Sequence, residues 1–163
     1  MACYDCEESS GSGTTRLVMT VLMTGIVALA TWDLWGRHMA PFVYGYELSV
    51  ADIVQALLGI QNKLMAEAIY FATAIPFVSL MYLYVWRPLF SEAVIDKHWF
   101  LSGTSYGVAL FAIAEGLMTV IMTIPSHATL FSVDASGWLI GALATGIATA
   151  GFIRLREMGR QII

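Results

Sequence analysis

The sequence predicts an all-α integral membrane protein, a four-helix bundle with a short interfacial amphipathic helix between helices 1 and 2. Three observations carry that prediction. Of 163 residues, 58% are hydrophobic and 12% charged, with a mean hydropathy of +0.73. A soluble domain carries about 25% charged residues, so a water-facing surface all round is not available to this composition. Four apolar stretches each reach the roughly 20 residues that a helix needs to cross a bilayer. The basic residues are unevenly distributed between the two ends of those stretches. Eight Lys and Arg against twelve Asp and Glu, with no basic block, exclude nucleic acid as a partner.

Residues 1–15 hold Asp5, Glu7 and Glu8 before a Ser/Gly/Thr stretch. A secretory leader would begin basic, so the expectation is a short acidic cytoplasmic tail, followed by a four-helix domain over 16–163. Cys3 and Cys6 form one Cys-x-x-Cys, half of a tetrahedral zinc site with no second pair nearby. The first span is predicted from Leu17 to Trp35 and the second from Leu64 to Trp86, with Pro76 expected to kink it. The third is predicted from Trp99 to Ile124 and the fourth from Ala135 to Ile153. Between the first two, Val50, Ile53, Val54, Leu57 and Leu58 repeat at helical spacing behind Ser49, a predicted N-cap. That stretch is too short to span and is expected to lie along the interface.

With four spans, both termini share a side. Arg16, Arg87, Lys97, Arg154, Arg156 and Arg160 fall on it, and only Arg37 and Lys63 fall opposite. The positive-inside rule then places both termini in the cytoplasm of a bacterial-type inner membrane. Tryptophans near the span ends fit aromatic belts, with Trp32, Trp35 and Trp138 outside and Trp86 and Trp99 inside.

Two patterns bear on chemistry. The fourth span aligns Gly137, Gly141, Thr145 and Thr149 at every fourth residue, and the third adds Gly103 and Gly107. Small residues let helix backbones approach where lipid offers no hydrophobic drive, so these lines predict tight packing within the chain or against another subunit. The second pattern is three acids inside predicted spans, Asp33, Glu67 and Glu115, where a carboxylate is costly. Asp33 is spaced to pair with Arg37, and Glu67 to pair with Lys63 in the weaker order. Glu115 has no local partner and is read either as an interhelical structural acid or as a functional one. All three fall in the predicted outer half, flanked by His38 and His127. They form a candidate proton-exchanging or metal cluster, the proton reading needing fewer coincidences. Met19-Thr-Val-Leu-Met-Thr24 and Met118-Thr-Val-Ile-Met-Thr123 look duplicated but fall at opposite depths, which argues against a repeat. No phosphate loop, nucleophile elbow or haem-attachment motif is present, and no cofactor is predicted.

Residues 25–36, ending in Trp32-Asp-Leu-Trp-Gly36, the segment Tyr82-Leu-Tyr-Val-Trp-Arg-Pro88 and the Gly-rich fourth span resemble small bacterial membrane proteins with four spanning helices. Such proteins often carry histidines near span starts, where this chain has Glu67 and Trp138. The resemblance implies the four-span fold and names no reaction. The expected role is an accessory or structural subunit of a membrane complex, with the lipid bilayer and other membrane subunits or a second copy as partners. The competing expectation is a small proton- or metal-handling transporter or enzyme built on the outer acids.

Overall fold

The computed structural model describes residues 5–91, 95, 97–122 and 135–161, with side chains described throughout these except at 5–12, 56, 120–122 and 160–161. The described residues are helical with no strand, and four helices are long and apolar enough to cross a membrane. The first is a continuous rod made of α1 (Asp5–Asp33), a widened π turn (Leu34–Met39) and α2 (Ala40–Tyr44). A short α3 (Val50–Leu58) comes next, then α4 (Lys63–Leu80), which continues through a second π turn (Met81–Trp86) into a 3₁₀ turn (Arg87–Leu89). The last two are α5 (Trp99–Met122) and α6 (Ala135–Gln161). The first rod is thus longer at both ends than the predicted span.

Both π turns end two residues before a proline. Ala40 N–H reaches back to the Trp35 carbonyl ahead of Pro41, and Arg87 N–H to the Tyr82 carbonyl ahead of Pro88. A proline in a regular helix would crowd the carbonyl four residues back and leave it without a donor. Widening the turn relieves that clash and lets the rod continue. At Pro76 the chain stays helical, α4 continuing through it. There the Ile75 carbonyl lies against Gly25 of α1, so close that no Cβ would fit, and Ser79 Oγ donates to the Val21 carbonyl at 2.8 Å.

The helices pack as an open row, α4 on α1, α1 on α6 and α6 on α5, with hardly any backbone packing between α4 and α5. Glycines set the closest approaches. A Cβ on Gly103 would meet Ile147 Cα at 2.8 Å, one on Gly107 would meet the Ala142 carbonyl oxygen at 2.6 Å, and one on Gly146 would strike the Gly103 carbonyl. The predicted Gly103/Gly107 line therefore packs inside the chain, on Gly146. The Gly137/Gly141/Thr145 line faces the first rod instead. A Cβ on Gly141 would lie 2.5 Å from Trp32 and 2.7 Å from Trp35, and one on Gly137 would lie 3.1 Å from Leu48 and 3.2 Å from Tyr44.

The tryptophans near the span ends pack between helices. Trp32 is 8% exposed and stacks obliquely on Trp138 at 5.2 Å, while Trp35 Nε1 donates to the Gly137 carbonyl at 2.8 Å. At the other end Trp86 Nε1 donates to the Ser102 carbonyl at 3.2 Å. Each of these two indole N–H groups has found a backbone acceptor on a neighbouring helix, as buried polar edges must.

α3 packs along the start of α4. Ala51 and Ile53 are buried, Val50 and Val54 pack beside Trp32 and Tyr70, and Leu57 and Leu58 are exposed. Ser49 stands at the N-cap, but its Oγ makes no capping bond and is buried without a partner among the described residues. The cap that the sequence pattern did not reveal is Asn62, whose side chain accepts from Leu64 N and Met65 N at 3.0 and 3.4 Å. It fixes the start of α4.

Candidate functional site

Arg37 organises the cluster at the end of the bundle opposite the chain termini. Its Nη2 donates to Glu67 Oε1 at 3.1 Å, and its Nε stands 3.6 Å from Asp33 Oδ1. Asp33 closes α1 and Arg37 lies inside the first π turn. The extra residue of that turn rotates the helix beyond it by about 100° on helical geometry. The turn is held open from outside: Leu48 N donates to the Gly36 carbonyl at 3.0 Å, and the Leu48 carbonyl presses where a Gly36 Cβ would be. Gly36 is thus needed for the chain to fold back after Tyr44.

The Asp33–Arg37 pair obeys the predicted spacing. Glu67 corrects the prediction: its partner is Arg37, and Lys63 Nζ lies 3.6 Å from Asp52 Oδ1 of α3. The physical reason is the docking of α3. It brings an acid beside the first residue of α4, leaving Glu67, one turn on, to face α1. Two carboxylates on one guanidinium leave one negative charge over. These groups, with His38, Leu34 and Phe71, line a cavity of about 340 Å³. The side chains remain 21–33% exposed, so the ion pairs are partly hydrated.

Among the described residues, no three His, Cys, Asp or Glu side chains converge as metal ligands. Glu115 is not among the lining residues of the Arg37 cavity. Its carbonyl accepts from Thr119 Oγ1 at 2.8 Å, as threonines in apolar helices commonly bond back one turn. His127 and Cys3 lie outside the described residues, and Cys6 is described only as backbone.

The second feature is the gap left between α4 and α5. At the end that holds both termini it is bridged by side chains. Tyr106 Oη donates to the Val78 carbonyl at 2.6 Å, Tyr82 Oη shares a hydrogen bond with Ser102 Oγ at 3.2 Å, and the two tyrosine rings meet edge to face at 5.1 Å. Towards the other end no side-chain hydrogen bond joins the two helices among the described residues, and they enclose an apolar crevice of about 230 Å³. Tyr70, Ala74 and Phe77 form one wall, Leu110, Ala114 and Leu117 the other. Thr145 lies at its back, with an Oγ1 that is buried and unpartnered among the described residues. Sequence reasoning missed this crevice because it is made by the order of helices, which no local pattern encodes. Comparisons with protein-family models, with curated proteins and with solved structures found no match to this chain.

Proposed function

We propose that the chain is an integral protein of a bacterial inner membrane, with both termini cytoplasmic, and that it serves as an accessory or structural subunit of a larger membrane complex. The crevice between α4 and α5 carries this reading. The glycine faces predicted as packing surfaces are spent inside the chain, on Trp32, Trp35 and one another. The surface left for a partner is the unclosed seam of the row, where Ala74 and Ala114 leave room for a neighbouring side chain. Close packing around small residues is how helices associate in lipid. The six-to-two basic asymmetry supports the orientation.

The test fills the seam with Ala114→Trp and measures particle mass after mild detergent extraction. Wild type is expected to run as a defined assembly larger than the 17.8 kDa chain, and the variant as the folded chain alone. A second reading rests on the two carboxylates sharing Arg37, an arrangement that can exchange a proton. A wild-type chain that extracts alone and carries proton flux in vesicles, abolished by Glu67→Gln, would overturn the subunit reading in its favour.

A further inference from the structure

A second cavity, of about 350 Å³, opens at the end that holds both termini, between α1, the second π turn and α6. Among the described residues, three arginines from three separate elements line it, Arg16, Arg87 and Arg156, with one acid, Glu157. Arg87 Nη1 donates to Glu157 Oε1, which leaves two arginines without an acidic partner among the described lining residues. Arg16 makes no ion pair among the described residues. Arg156 has a buried Nη1 with no hydrogen-bond partner there. A buried guanidinium donor of this kind needs an acceptor.

Deeper in, the lining becomes mostly apolar. Leu83 lies one turn inward of Arg87 and Ile153 one turn inward of Arg156, with Leu17 beside them, while Thr20, one turn inward of Arg16, spends its hydroxyl on the Arg16 carbonyl. We propose that Arg16, Arg87 and Arg156 bind a phosphate group, and that the apolar base favours a phosphate carried on a lipid over a free one. Guanidinium forks match phosphate oxygens, and basic pockets between helices at the cytoplasmic interface suit anionic headgroups. The lipid source rests on the membrane location proposed for the chain; the phosphate chemistry rests on the cavity alone.

The test reconstitutes the full chain in nanodiscs of phosphatidylcholine with and without phosphatidylglycerol, and counts retained lipids by native mass spectrometry. Wild type is expected to retain phosphatidylglycerol, and Arg16→Gln and Arg156→Gln to lower retention roughly fivefold each. Arg154→Gln is the charge control, because Arg154 sits over the Trp99 ring at 5.8 Å and is outside the cavity lining. Equal retention in wild type and both cavity variants overturns the site, as does an equal loss in the Arg154 control. Displacement of the lipid by inorganic phosphate overturns the lipid preference. A chain that does not enter the nanodisc refutes membrane insertion; one that enters without retaining lipid refutes only the site.

Discussion

The contact between α5 and α6 is set by backbone meeting backbone at Gly146, which makes one methyl group a decisive perturbation. In Gly146→Ala the new Cβ would strike the Gly103 carbonyl and lie 2.5 Å from Gly107 N and 2.7 Å from Gly107 Cα. No rotamer change can make room, because every obstacle is main chain. Optimal carbon contacts lie at about 3.5–4.0 Å, so α5 must move outward by about 1 Å there. A radial gap of that size forfeits up to about half of each neighbouring contact. Overpacking of this kind costs about 1–3 kcal/mol, and the better helix propensity of alanine returns at most about 1 kcal/mol. The net loss is about 1–2 kcal/mol, near a tenfold shift in the folded fraction. Gly116→Ala is the matched control, since nothing lies within 4 Å of its Cβ position in α5. It should be neutral or up to about 1 kcal/mol stabilising. Both variants can be unfolded in mixed micelles by titrating a denaturing detergent, with tryptophan fluorescence as the readout. If Gly146→Ala unfolds together with Gly116→Ala, the close approach is not what holds the two helices together.

Removing Arg37 should cost more than removing either acid, because Arg37→Ala leaves Asp33 and Glu67 facing one another. The partial exposure of the pairs limits the effect to about 1–2 kcal/mol. Arg37→Ala combined with Glu67→Gln should recover part of it in the same titration, and strictly additive losses would show that the groups do not interact. Tyr106→Phe deletes the buried hydrogen bond to the Val78 carbonyl that bridges α4 to α5, and should lower stability by about 1 kcal/mol in thermal unfolding. An unchanged melting temperature would mean that the bridge is not needed to close that end.

The four long helices are legible in the sequence because length and apolarity survive any arrangement of neighbours. So is the Asp33–Arg37 pair, whose spacing is internal to one helix turn. Gly103 and Gly107 are recognisable as a packing line, whereas their counterpart Gly146 lies five residues beyond Gly141, on a different face from the Gly137/Gly141/Thr145 line. Gly25 and Gly36 stand singly, and a lone glycine in an apolar run gives no period to detect. Spacing alone pairs Glu67 with Lys63, because only sequence neighbours are visible before α3 is docked. The π turns do leave a signal: Pro41 and Pro88, each inside a rod that carries on past it.

The helix order has a consequence for how the chain assembles. Each hairpin, α1 with α4 and α5 with α6, is nearly local in sequence, while the α1–α6 seam joins the two ends of the chain. Local contacts close early and distant ones late, because the longer loop carries the greater entropy cost. Synthesis therefore leaves Trp32 and Trp35 without the Gly137–Gly141 face until α6 has been made. The molecule is two hairpins latched by a pair of indoles, and the latch cannot close before α6 exists.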